Sequence, residues 1–199
     1  MDKERLDRQF AFCLEADKEK QIIRQTRKSN GVDRENDAEH AWHMALMCIL
    51  LSEYSNEPID VLRAVTMILI HDVVEIDAGD TYAYDEEAKR SQRERELAAA
   101  DRIFNLLPCD QAEKLRSLWD EFEAGESAEA RFARAMDNIQ PAMLNNATDG
   151  IEWLNHHVEL GSVLKRNEIT PKGSEVLWDY ALNTFILPNV EKGRILPTE

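Results

Sequence analysis

An all-α fold is the class that this 199-residue sequence predicts. Three observations carry that expectation. Apolar residues recur at helical spacing in segment after segment. Glycine (7) and proline (6) are too sparse to punctuate many short strands. No convincing run alternates apolar and polar residues with a period of two. The length suits one domain over residues 1–199 with room for a sizeable core.

The elements follow in order. Residues 2 to about 27 read as one amphipathic helix with Leu6, Phe10, Cys13 and Leu14 on a stripe. Arg24, Arg27 and Lys28 then fall at its end, as dipole-complementing bases or as a phosphate clamp. Residues 29–35, with Asn30-Gly31, read as a loop. Asn36 and Glu39 form a capping-box pattern that opens a helix through Tyr54. On it His40, Met44, Met47 and Leu51 share one face, and His43, Met47, Leu50 and Tyr54 another. Asn56-Glu57-Pro58 breaks the chain before a helix over 59–74.

That helix carries the central stretch. Residues 64–70 are apolar at nearly every position, and then come His71-Asp72, Glu75 and Asp80. Burying an unpaired charge costs several kcal/mol unless the group neutralises, so acids at the end of a buried helix need a counter-charge. A divalent cation is one such counter-charge. Residues 76–85 read as an ordered loop over the helix end, and 86–107 as a charged helix with Leu97, Ile103, Phe104 and Leu107 inward. Pro108 starts a helix to about Glu123 with Leu115, Leu118, Trp119 and Phe122. The next, from Ala128 to about Asn145, places Ala133, Asp137, Gln140 and Leu144 on one face beside Phe132, Met136, Ile139 and Met143. Two more helices, 151–164 and 174–187, complete the bundle, with Trp153, Trp178, Tyr180 and Phe185 as anchors. His156 and His157 read as surface residues.

Composition excludes several partners. A net charge of −15 argues against a nucleic-acid polymer and against an anionic membrane surface. An anionic substrate would need positive charge from a cation and a few arginines. Cys13, Cys48 and Cys109 are scattered and odd in number, which suits reduced, buried thiols of a cytoplasmic protein. The charged start does not read as a secretory signal, and no stretch reads as membrane-spanning.

Together His40, His71, Asp72 and Asp137 offer two imidazoles and two carboxylates. That mixed set suits Mn²⁺, Co²⁺, Fe²⁺, Ni²⁺ or Zn²⁺ better than Mg²⁺ or Ca²⁺. His71 and Asp72 diverge by about 100° on a regular helix, so sharing one ion requires a loosened last turn. Glu75, one turn after His71, stands where an acid/base group could act on water.

Ala38-Glu39-His40 opening a helix, the His71-Asp72 doublet and Asp137 in a later helix resemble the HD-domain superfamily of metal-dependent phosphohydrolases. The pattern His71-Asp72-x-x-Glu75-x-x-x-x-Asp80 is similar to the bacterial 5′-deoxyribonucleotidase-like branch. The likeness covers about residues 14–145. It implies an HD-domain helical bundle, with the helices of 151–199 as additions packed on it. It implies His40, His71, Asp72 and Asp137 as ligands of one divalent ion, because no further histidine lies between His71 and Asp137. It also implies that Glu75 assists the attacking water and that Asp80 contacts the sugar or leaving oxygen. Arg24 falls near the branch's phosphate-binding arginine, with Arg27 and Lys28 as alternates. This chain has Gln25 where the deoxynucleotidases carry an aromatic residue, and its following loop is a residue longer. A nucleoside 5′-monophosphate is the implied substrate; another phosphate ester, a nucleoside triphosphate or a non-catalytic helical scaffold are the alternatives. Homodimerisation is a further implication, through the apolar C-terminal helix and Ile195-Leu196-Pro197.

Overall fold

The computed structural model describes residues 2–79 and 92–198. Asp80 and most of the expected loop over the doublet lie outside the described residues, as do residues 86–91 of the charged helix. The described chain is helical apart from one two-stranded hairpin.

The first long helix expected from the sequence is cut short. Helix α1 spans Lys3–Ala16 and a 3-10 turn follows over Asp17–Gln21. Strand β1 (Ile23–Arg27) then pairs antiparallel with β2 (Arg34–Asn36). The physical reason is legible afterwards: β-branched Ile22, Ile23 and Thr26 favour extended backbone, and Asn30-Gly31 is a hairpin turn signal. Asn30 Oδ1 accepts the N–H groups of Val32 and Asp33, and Gly31 takes φ +69°. Arg24 and Arg27 therefore sit on a strand, not in the last turn of a helix. The α1 stripe also differs from expectation. Phe10, Cys13 and Leu14 face solvent, while Phe12 stacks on Phe104.

Helix α2 (Asp37–Leu51) starts at the expected capping box, formed by Asn36 and Glu39 in both directions. Its His40, Met44 and Met47 are buried, but Leu50 and Tyr54 point outward. Helix α3 (Val61–Ile70) is capped by Asp60 and gives way at Asp72–Val74 to a 3-10 turn, followed by the short α4 (Glu75–Ala78). The backbone is thus loosened where the doublet lies. Helices α5 (Gln92–Phe104), α6 (Cys109–Ala124) and α7 (Ala128–Ala147) follow, with Ser127 capping α7. The main core gathers Met44, Met67, Ile68, Ile103, Phe104, Trp119, Phe132 and Met136 around α7.

The C-terminal region is more broken than its periodicity suggested. It forms α8 (Ile151–Asn155), α9 (Leu160–Arg166), α10 (Thr170–Gly173), α11 (Glu175–Ala181), a π-helical turn and α12 (Leu187–Glu191). His157 takes φ +50° between α8 and α9, which stops the first of the expected helices. Gly173 is required, because a Cβ there would overlap the carbonyl of Arg131 on α7. A second core of Trp153, Val158, Val163, Ile186 and Ile195 holds this region together. Ile195 is thus buried in its own chain, and Leu196 exchanges hydrogen bonds with Val158 and Leu160. Tyr180 is exposed rather than an anchor. Of the three free thiols only Cys48 is buried, where lack of solvation pushes it up to about 11. Among the described residues no helix is long and apolar enough to cross a membrane.

Candidate metal centre

His40 lies in the first turn of α2, fully buried. Its Nδ1 is 3.0 Å from Oε1 of Gln140 and its Nε2 is 3.1 Å from Oδ1 of Asp137. The amide of Gln140 has a fixed sense, because its Nε2 donates to Glu35 at 2.9 Å. Gln140 therefore accepts the Nδ1 proton of His40, which leaves Nε2 as a lone pair aimed at Asp137.

His71 closes α3 in the same manner. Its Nδ1 donates to the carbonyl of Ile68 at 2.6 Å, while its own carbonyl accepts the Trp119 indole N–H at 3.1 Å. Nε2 faces Asp72 Oδ1 at 3.1 Å and Asp137 Oδ1 at 4.0 Å. Among the described residues, this buried nitrogen makes no well-aligned hydrogen bond. The two imidazole rings lie 5.8 Å apart. One ligand atom each from His40, His71 and Asp72 falls within 4.8 Å of the others.

The donor set fits a divalent ion. Asp72 Oδ1 faces the His71 Nε2, and Asp137 Oδ1 faces the Nε2 atoms of both histidines, though Asp137 stands outside the tight group of His40, His71 and Asp72. Acceptors gathered in a buried place repel unless a cation or protons lie between them. Without metal, protons serve. Burial alone would depress the His71 imidazolium, but the charges of Asp72 and Asp137 outweigh it and raise its pKa to about 9. Burial likewise opposes ionisation of Asp72 and Asp137. His71 and Arg24 nonetheless hold Asp72 low, and Arg166 and His40 do so for Asp137.

Arg24 is the centre's inner counter-charge. Its Nη1 meets Asp72 Oδ2 at 2.7 Å and Asp37 Oδ1 at 3.1 Å, and its Nε lies 3.8 Å from Glu35. Arg27 and Lys28 point elsewhere. Arg27 bonds Glu152 at 2.6 Å and the Val32 carbonyl at 2.9 Å, and Lys28 bonds Glu39 at 2.6 Å. Neither lines the cavity over the doublet. That cavity, about 390 Å³, is lined by Arg24, Glu75, Asp137, Arg166 and Trp153 among others. It is the size of a small-ligand pocket. His43 stands behind the centre, its Nδ1 3.2 Å from Gln140.

Three residues that matter here were not singled out from the sequence. Gln140 had a weak signal, one helical turn after Asp137 on the same face. Glu35 and Arg166 had none, because their places depend on a hairpin and on folded-back C-terminal helices.

A helical bundle that joins a His on one helix, a His-Asp doublet at the end of another and an Asp on a third defines a class of metal-centred proteins. Residues 16–178 match the HD domain, so the chain belongs to the HD-domain family. It superposes with a TM-score of 0.92 on a crystal structure described as a predicted metal-dependent phosphohydrolase, from Magnetospirillum magnetotacticum MS-1. That protein is 45% identical, with 98% of this chain and 97% of that one covered. This chain is also 30% identical over 118 residues to the human 5′-deoxynucleotidase HDDC2, covering 59% of this chain and 56% of that protein. The zebrafish (Danio rerio) protein of the same name is 26% identical over 145 residues, 66% of this chain and 71% of that one. The chain thus spans about half the length of the human relative.

Proposed function

We propose that the chain is a metal-dependent phosphohydrolase that releases phosphate from a nucleoside 5′-monophosphate. The closeness of one donor atom each from His40, His71 and Asp72, with Asp137 Oδ1 beside both histidine Nε2 atoms, supports this reading. The names of the human relative and of the Magnetospirillum protein support it.

In this reading His40, His71, Asp72 and Asp137 hold one divalent ion of the Mn, Co, Fe, Ni or Zn type. When bound, such an ion supplies Lewis-acid polarisation of a phosphoryl oxygen and makes water more acidic. Gln140 and Ile68 fix the tautomers of the two histidines, so their Nε2 atoms need no rearrangement. Glu75, at the start of α4 and on the cavity wall, takes the proton of the attacking water as its oxygen bonds to phosphorus. The ester P–O bond breaks, and the leaving oxygen takes up a proton relayed through Glu75. Asp80 is assigned the sugar or leaving oxygen. Arg24, ringed by carboxylates, offsets their charge beside the phosphoryl group. Homodimerisation belongs to the same proposal, supported by the exposed stripe Trp42, Leu46, Ile49 and Leu50 on α2. So does a cytoplasmic setting.

The test is a phosphate-release screen across nucleoside mono- and triphosphates and simple phosphate esters, with Mn²⁺, Co²⁺ or Mg²⁺, on protein of measured metal content. Release from 5′-monophosphates with Mn²⁺ or Co²⁺ is expected. Release from triphosphates alone would replace the substrate. Silence on every substrate would leave a helical binding protein.

A further inference from the structure

Among the described residues the cavity has four arginines on its wall, and their surroundings differ. Arg24 is 13% exposed and stands among Glu35, Asp37 and Asp72, so three carboxylates share one positive charge. Arg93 pairs with Glu123 at 3.1 Å and lies over the Trp119 ring. Arg134 donates to the carbonyls of Phe122 and Glu123 and lies over the Phe122 ring. Arg166 differs in its partner rather than in its exposure. Its side chain is 38% exposed against 51% for Arg93, but its Nη2 donates to Asp137 Oδ2 at 3.1 Å, next to the histidines, whereas Arg93 is held on Glu123. Asp137 presents its other oxygen, Oδ1, to both histidines. Arg166 therefore meets the oxygen of Asp137 that is turned away from the histidines, on the wall of the cavity.

Its position is built by the C-terminal region. Arg166 ends α9, whose Val163 is buried in the second core with Trp153, Ile186 and Ile195. The N–H of Leu160, which opens α9, donates to the carbonyl of Leu196 at 2.8 Å, so the chain's tail fastens the helix. The helices after residue 150 thus acquire a purpose that the motif-bearing core lacks.

Resting on the phosphohydrolase reading, we propose that Arg166 binds the substrate's phosphoryl group, while Arg24 acts as an inner counter-ion for Asp72. A guanidinium has five N–H donors in a planar fork, and one bond to Asp137 leaves the others for phosphoryl oxygens. The site then takes a terminal phosphate monoester dianion between the metal on one side and Arg166 on the other. Positive charge is scarce here: Glu35, Asp37, Asp72, Glu75 and Asp137 cluster around the centre. A dianion needs a part-exposed cation beside the centre as well as the ion, and Arg166, unlike Arg93 on Glu123, stands next to Asp137.

The experiment compares metal-loaded wild type with Arg166→Ala and Arg166→Lys. The readouts are inhibition by inorganic phosphate, KM and kcat for the best monophosphate, and metal affinity by calorimetry. Loss of a charge-assisted fork should weaken inorganic phosphate and raise KM by about 10- to 100-fold, with metal affinity unchanged. Arg166→Lys should recover part of the loss, which also shows that the position tolerates change. Phosphate binding unchanged in Arg166→Ala would overturn the assignment. So would a loss that follows metal affinity alone, since Arg166 would then act only by holding Asp137. A wild type that neither binds inorganic phosphate nor cleaves any ester would instead remove the phosphohydrolase reading itself, and this assignment with it.

Discussion

Gln140 accepts the Nδ1 proton of His40 at 3.0 Å from within the same turn of α7 that presents Asp137 to the opposite nitrogen. One helix turn therefore both orients the imidazole and supplies its neighbouring carboxylate. The Gln140 amide is itself held by Glu35 on the hairpin. Replacing Gln140 by Leu should lower affinity for Mn²⁺ or Co²⁺ by about 10- to 100-fold with helicity retained, as loss of a partner behind a ligand does. Gln140→Glu, which still accepts the Nδ1 proton, should keep more of that affinity than the Leu variant. Equal affinities in wild type and Gln140→Leu would show that the bond does not orient His40.

Trp119 has a comparable role for the doublet. Its ring is fully buried, and its N–H meets the carbonyl of His71 where α3 loosens. Trp119→Phe keeps an aromatic filler but removes that donor, so urea unfolding should show a loss of about 1–3 kcal/mol. An unchanged midpoint would mean that packing alone holds the turn.

Glu19 gives the metal-free protein a pH dependence. Burial, then the charges of Asp72 and Asp37, raise this carboxyl to about 8 against the opposing pull of His71. A raised folded pKa favours the protonated group. The contribution is fully present below the unfolded pKa near 4.5 and is lost as pH rises through about 8. Glu19→Gln should therefore leave stability unchanged near pH 4 and increase it at pH 9, by on the order of 2 kcal/mol. A variant no more stable than wild type at pH 9 would refute the placement of Glu19.

Much of this architecture was written in local patterns. The capping box at Asn36, the buried run into His71 and the two apolar faces of α7 all depend on neighbours within a turn or two, which periodicity reports directly. The hairpin did not show itself, because Arg24, Gln25 and Arg27 suit a helix as well as a strand. Only pairing with residues 34–36 decides between them. The outward turn of Phe10 and Leu14 has the same origin: an amphipathic stripe says that a helix has two faces, not which one meets the core. In the centre, the doublet and its helical companions were readable as residue types with counter-charge problems. Arg166 was not, since it reaches Asp137 only after α9 is pinned at Leu160 by Leu196, near the far end of the chain. Contacts that depend on long loop closure leave no local periodicity to read.

The proposed sharing of a single cation by His40, His71, Asp72 and Asp137 is open to titration of metal-free protein with Co²⁺, followed by its visible absorption. Saturation is expected at one equivalent per chain, with loss of the band in His40→Ala, Asp72→Ala and Asp137→Ala while helical content is retained. Saturation at two equivalents, or an unaltered band in His40→Ala, would contradict it.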